Sequence, residues 1–304
     1  MCLNPSYDIF MDESKGYQGS FQIFSIIFGR SSKLITLNDD LDQIMNGYGI
    51  TGEFKSSNTS SKHLRCANDM LKLIVDYNKD KKTGIIVLLI SKDKLLANAG
   101  FLQDTYQNMF VNNVNNKFHY TKLGIPLSDA APLYMRAVHF LPFIYLRDNF
   151  GPERATYNYY PDPTGKVLNY ETHTLAIEGK MINYYVLLKD LCNATIDYIN
   201  LHKPLSWPTQ KVYLTKFKPI DSKTDRRIQA CDMISNYFLN CVRRNCGINR
   251  SIVTNKADIF EEHIDINGLK NDIAANFSKF TDSNGDDFAV CTSNNYAQSA
   301  KFLI

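Results

Sequence analysis

Apolar positions along this chain recur with two different periods, and the alternation between them predicts its elements. Tyr7 to Asp12 is a short apolar run that stops at acids and reads as a strand. Ser20 to Phe28 carries Phe21, Ile23, Phe24, Ile26, Ile27 and Phe28, and so little polarity predicts a strand buried on both faces. Gly16 and Gly19 between the two suit a hairpin turn. Asn38 to Met45 opens with Asn and acids, the residues that favour a helix start. From Ser61 to Tyr77, Leu64, Ala67, Leu71 and Val75 recur at helical spacing. Gly84 to Ser91 is a continuous apolar strand, followed by an Asn-dense polar stretch from Gln103 to Tyr120. Pro132 to Arg147 predicts an apolar helix bent at Pro142. Ala155 to Tyr160 alternates and ends at Pro161-Asp162-Pro163, which predicts a strand that stops at an acid. A helix from Met181 to Ile199, a strand from Lys211 to Phe217 and a helix from Arg226 to Arg244 complete the strong signals. Beyond them the periodicity is weak.

The order is strand, strand, insertion, strand, helix, strand, helix, strand, helix. A hairpin followed by strand–helix alternation predicts an α/β fold, a mixed sheet flanked by helices. The connectivity matches a ribonuclease H-like fold with an insertion after the second strand. The expected division is one domain over 1–245, with insertions at about 38–80 and 95–130, and a C-terminal extension over 246–304. No internal repeat is present.

Composition adds little that discriminates. With 304 residues, 44% hydrophobic and 21% charged, the chain has the make-up of a folded globular protein and not of a disordered one. Net charge is only +3, but it is unevenly spread. Nine Lys or Arg against three acids lie between Lys211 and Arg250, while Ser251 to Ile304 holds four basic residues against eight acids. The basic stretch suits either a phosphate-rich partner or a solvated helix face. Seven cysteines without scaffold spacing read as reduced thiols. The N-terminus carries no basic segment leading into an apolar one, and the run Ile85 to Ile90 is too short to cross a bilayer, so a cytoplasmic protein without a membrane span is expected.

Three acids fall at topologically related places. Asp12 stands at the expected end of the first strand, Asp162 at the end of the fourth, and Asp232 inside the last core helix. In that helix Ile228, Cys231, Ser235, Phe238 and Val242 form an apolar-leaning stripe, and Asp232 lies at its edge with Gln229 and Asn236. Clustered carboxylates repel one another, and a hard divalent cation such as Mg²⁺ relieves that conflict with two or three of them as ligands. Two such ions about 4 Å apart serve phosphodiester hydrolysis. Turn chemistry is the competing reading, strongest for Asp162 between its prolines. A salt bridge from Arg226 or Arg243 is the competing partner for Asp232.

Several short motifs resemble the bacterial "domain of unknown function 3800" family. Met11-Asp12-Glu13-Ser14-Lys15-Gly16 resembles its Asp-Glu-Ser-Gly opening, and Gly52-Glu53-Phe54-Lys55-Ser56-Ser57 its Glu-x-Lys-x-Ser segment. Leu89-Ile90-Ser91-Lys92 is similar to its third strand, and Tyr159-Tyr160-Pro161-Asp162 to the acid-terminated fourth. Asp221-Ser222-Lys223 followed by Ile228-Gln229-Ala230-Cys231-Asp232 resembles its closing Asp-Ser and Gln-x-x-Asp pattern. The resemblance spans roughly Tyr7 to Arg244. Ser91 departs from it by standing where an acid is usual, and Lys15 by separating Ser14 from Gly16. It implies a ribonuclease H-like fold and a nuclease role tied to bacterial defence or mobile elements. Asp12, Asp162 and Asp232 would be metal ligands, Glu13 a neighbour, and Glu53 and Lys55 further site residues.

The expectation is therefore a Mg²⁺- or Mn²⁺-dependent nuclease acting on RNA or DNA. Lys55, Lys223, Arg226 and Gln229 would meet the substrate beside Asp12, Glu13, Glu53, Asp162 and Asp232. The alternative is a non-catalytic adaptor on the same fold, binding nucleic acid or protein, with a homodimer as a further option. Asp282 to Asp286 has the first ligands of a calcium loop but lacks the Gly and Glu that complete one. No Gly-rich phosphate loop and no Gly-x-Ser-x-Gly occurs.

Overall fold

The structure, a computed structural model, describes residues 6–15, 21–55, 58, 60–79, 83–91, 156–163, 174–177, 179–202, 213–245, 278–281 and 287–291, and single positions between 103 and 137. The elements are β1 (Ser6–Lys15), β2 (Phe21–Arg30), α1 (Ser31–Gly47), α2 (Ser61–Lys79), β3 (Thr83–Ser91), β4 (Thr156–Pro161), β5 (Thr174–Ile177), β6 (Lys180–Asn183), α3 (Tyr184–His202), β7 (Tyr213–Phe217), α4 (Arg226–Asn245), β8 (Ser278–Thr281) and β9 (Asp287–Cys291). Five strands form one mixed sheet in the order β3-β2-β1-β4-β7. β1 runs antiparallel to β2, and β2 to β3, while β4 lies parallel to β1 and β7 parallel to β4. β5 and β6 make a separate hairpin, turned by Gly179 at φ +74, and β8 and β9 make another.

Sheet alternation sends neighbouring β1 residues to opposite sides. Phe10, with Ile27 and Tyr160, packs into a core shared with Leu34, Leu37, Leu41 and Met45 of α1, Leu64, Ala67 and Leu71 of α2, and Ile228 and Cys231 of α4. On the other side Ile9, Met11 and Tyr159 are fully buried. There the Tyr159 hydroxyl donates to Met11 Sδ at 3.1 Å and the Arg136 carbonyl at 3.3 Å. With both faces covered, the apolar run of β2 is explained: Phe24, Ile26, Ile27 and Phe28 are all buried. Each fully buried Leu or Ile contributes on the order of 1.5–3 kcal/mol.

Three boundaries differ most from expectation. α1 begins at Ser31, directly after β2, seven positions before Asn38. The Asn-acid cluster that imitates its start lies in mid-helix, and Asn38 Oδ1 instead accepts the Arg226 N–H at 3.2 Å, capping α4. α1 and α2 supply much of the core. β1 continues through Glu13 to Lys15, so Asp12 is not its terminal residue. The helix expected from Met181 starts at Tyr184, because Lys180–Asn183 pairs with β5 and Asn183 Oδ1 caps the Tyr185 and Val186 N–H groups at 2.9 and 3.2 Å. The turn at Gly16 and Gly19, the calcium-like loop, most of the Asn-dense stretch, most of the helix predicted from Pro132, and the extension apart from β8 and β9 lie outside the described residues. Among the described residues no helix is long and apolar enough to cross a membrane.

Candidate functional site

The site forms where β1 and β4 part. Their parallel ladder runs from Ser6 and Thr156 to Met11 and Pro161, and its last bond is donated by the Asp162 N–H to the Met11 carbonyl at 2.7 Å. Asp12 and Asp162 are the next residues along the two strands. Asp12 faces the α4 side, as Phe10 does. Its cross-strand neighbour is Ser25, whose hydroxyl lies 2.6 Å from that of Ser235 in the buried layer under α4. The Cys231 thiol also reaches the Phe10 carbonyl, at 3.5 Å. Asp232 lies between these two α4 anchors in sequence, and is itself half-buried.

The electrostatics report the convergence. Asp12 is 8% exposed. Burial first, then the charges of Asp162 and Asp232, push its carboxyl well above the usual range, and the Glu13 N–H donating to Oδ1 at 2.7 Å opposes the shift. Asp162 is pushed up to about 7, mainly by burial, with Asp221 and Asp232 adding repulsion; the Ser222 N–H, at 3.0 Å from Oδ1, and the Arg136 guanidinium pull it down. Asp162 accepts from a residue 60 positions away, so its side chain does not merely cap its own turn.

A second layer ties Glu53 to this cluster through Ser222. The Ser222 hydroxyl donates to Glu53 Oε1 at 3.2 Å, and Glu53 Oε2 pairs with Lys55 Nζ at 2.8 Å. The Lys55 side chain is 61% exposed; its pKa is raised by the bond to Glu53 and further by the charges of Glu53, Asp232 and Asp221, against a desolvation effect. Gln229 is buried and acts as a brace: Nε2 donates to the Ser222 carbonyl at 2.6 Å, while Oε1 accepts from the Phe54 N–H at 3.1 Å and from Arg226 Nη1 at 3.2 Å. Arg226 also pairs with Asp42 at 2.8 Å and donates to the Gly52 carbonyl at 2.8 Å. Gln229 and Arg226, two of the four residues expected to meet substrate, thus hold the 52–55 segment against α4. Lys223 lies on the Asp221–Thr224 turn with an exposed side chain.

Glu13 is set apart from Asp12. It follows the opposite face of β1, and its Oε2 pairs with Arg136 Nε at 3.0 Å. Arg136 is completely buried and donates through Nη2 to the Asp162 carbonyl at 3.0 Å. Sequence reasoning missed this residue, although a lone charge in an apolar helical pattern is a usable signal. Asp8 was missed as well: it is buried one end of β1 away, where Oδ1 accepts from Ser31 Oγ and Asn158 Nδ2, both at 2.7 Å.

Asp12, Asp162 and Asp232 supply the hard oxygen donors that Mg²⁺ or Mn²⁺ prefers, and their mutual repulsion is the imbalance a divalent cation offsets. Among the described residues no three His, Cys, Asp or Glu side chains stand close enough to hold a metal as they are. Comparison with protein-family models, with curated proteins and with solved structures found no match to this chain.

Proposed function

We propose that this protein is a metal-dependent nuclease on a ribonuclease H-like fold, related to the family its motifs resemble. The sheet order β3-β2-β1-β4-β7, with only β1–β2 and β2–β3 antiparallel, supports the fold. The observation that carries the chemistry is geometric: Asp12 and Asp162 follow the last rung of the β1–β4 ladder, and Asp232 of α4 lies near enough to add repulsion to both. These three residues would hold Mg²⁺ or Mn²⁺, which when bound activates water and neutralises charge on a phosphodiester. Lys55, exposed beside the cluster, meets the substrate phosphate, and Lys223 extends the cationic rim. Glu53 keeps Lys55 at the site. Arg226 and Gln229 shape the site from behind rather than contact substrate.

The test is cleavage of labelled RNA, DNA and hybrid duplexes with Mg²⁺ or Mn²⁺, comparing wild type with Asp12→Asn and Asp232→Asn. Metal-dependent cleavage lost in both variants supports the reading; equal cleavage by wild type and variants overturns it.

Two observations favour a second reading, a nucleic-acid-binding adaptor. The described carboxylates are not already gathered to metal distance, and Lys55 is held by Glu53. Binding of single-stranded or duplex nucleic acid that is unchanged by EDTA and by Asp12→Asn, without cleavage, would select it.

A further inference from the structure

Arg136 contacts β1 and the residue just beyond β4 at the point where the two strands part, and it lies outside every motif that marks the acids. Its guanidinium spans the junction. Nε meets the Glu13 carboxylate on β1 at 3.0 Å, and Nη2 meets the Asp162 carbonyl just beyond β4 at 3.0 Å. The Asp162 N–H to Met11 bond is the last rung of the ladder there. Past that rung the two chains are joined across the junction by Arg136.

The side chain is fully buried, and its Nη1 has no hydrogen-bond partner. A buried cation with an orphaned donor is costly, so packing alone is a poor reason for an arginine here. An apolar residue of similar volume would fill the space without that cost. What an apolar residue lacks is a two-armed donor that fixes one strand to the other. The Tyr159 hydroxyl, donating to the Arg136 carbonyl at 3.3 Å, in turn fixes the Arg136 backbone over β4.

We infer that Arg136 is the positioning residue of the acidic site, clamping Glu13 of β1 to the Asp162 backbone so that Asp12 and Asp162 stay side by side. It touches neither carboxylate of that pair with a hydrogen bond and acts through the backbone. Glu13 is then the anchor of the clamp, not a member of the site. The inference rests on the nuclease reading for its consequence, but the clamp itself is a statement about local stability.

The experiment separates the two. Amide hydrogen exchange is measured by NMR in the metal-free protein, and Mn²⁺ binding by water-proton relaxation, for wild type, Arg136→Lys, Arg136→Met and the charge-free double variant Glu13→Gln/Arg136→Met. The double variant is included because it removes both charges together, should the single Arg136→Met fail to fold. The clamp predicts exchange at the Asp162 amide faster by about tenfold or more, with the Lys218 amide that bonds to Tyr159 unchanged. It also predicts Mn²⁺ affinity weakened by about tenfold or more, partly restored in Arg136→Lys. Uniform acceleration across the sheet, or an unchanged Asp162 amide, overturns the clamp. Selective acceleration with unaltered Mn²⁺ affinity overturns its link to the acids. If wild type takes up no Mn²⁺, the nuclease reading falls, and selective exchange at Asp162 still supports the clamp.

Discussion

Ser25 and Ser235, 210 positions apart, share a 2.6 Å hydrogen bond between hydroxyls in the buried layer between sheet and helix. Ser25 is the cross-strand neighbour of Asp12, and Ser235 lies one helical turn beyond Asp232, so this bond, together with the Cys231 contact to Phe10, ties the acid-bearing stretch of α4 to the sheet. Ser235→Ala leaves the Ser25 hydroxyl buried without this partner. The expected loss is about 1–3 kcal/mol, whereas the double variant Ser25→Ala/Ser235→Ala is closer to wild type because neither hydroxyl is stranded. Urea denaturation of the two single variants and the double gives the coupling directly. Additive losses would mean that the bond does not set the contact.

The Gln229 side chain serves three groups at once: the Ser222 carbonyl, the Phe54 N–H and the Arg226 guanidinium. Gln229→Leu keeps the approximate volume and removes every one of these bonds, leaving the Phe54 N–H without its acceptor. A loss of about 1–3 kcal/mol is expected from that alone. The same change loosens Ser222, which donates to Asp162 and to Glu53. Gln229→Leu is therefore expected to raise exchange at the Ser222 and Phe54 amides more than at the Ser25 amide. Equal protection at all three in the variant would count against the brace.

The fold was legible wherever periodicity and burial agree. The β2 run, the α2 stripe and the Pro-bounded end of β4 were readable because each buries an apolar pattern against a neighbour. The α1 start was misread because Asn38 looks like a cap for its own helix and caps another, a tertiary use that local sequence does not encode. Asp12, Asp162 and Asp232 could be named from the sequence because acids beside apolar runs stand out, although β1 runs on past Asp12 to Lys15. Their support could not be: Arg136 acts across 123 positions on Glu13, and Gln229 across 175 on Phe54. Contacts at such separation depend on topology, and a short motif carries no record of its partner.

Acid repulsion in the metal-free protein has a definite pH signature. The Asp162 pKa is pushed up to about 7 in the folded state, mainly by burial, against about 3.9 for an unfolded Asp. Asp12 is shifted in the same direction for the same first cause. Between those values the native state binds more protons than the unfolded one, so stability is greatest below about pH 4 for these groups and falls as pH rises through about 7. In EDTA, urea midpoints are expected to decline from pH 5 to pH 7.5. The decline should be smaller in Asp12→Asn, which removes one member of the repelling set. Adding Mn²⁺ at pH 7.5 should recover the loss in wild type in proportion to the logarithm of its concentration. A wild-type profile that is flat over this window, or as steep in Asp12→Asn, contradicts the buried coupling.

Burial also silences the thiols. Cys66, Cys192 and Cys231 are free and buried. Desolvation is the leading cause in each: the Cys66 thiol is pushed up to about 11, and those of Cys192 and Cys231 are also driven upward, the latter with added repulsion from Asp12. Because the thiolate is the reacting species, all three should resist alkylation at pH 8 while the protein is folded. Native labelling with iodoacetamide, followed by digestion and mass spectrometry, is expected to leave these three peptides unmodified, with full labelling after denaturation. Cys231 is the most informative, since its thiol lies against the Phe10 carbonyl beneath α4. Selective labelling of Cys231 in Ser235→Ala, with Cys192 still protected, would show that losing the serine contact lifts α4 from β1. Rapid labelling of Cys231 in wild type would mean that α4 does not sit closed over the acids.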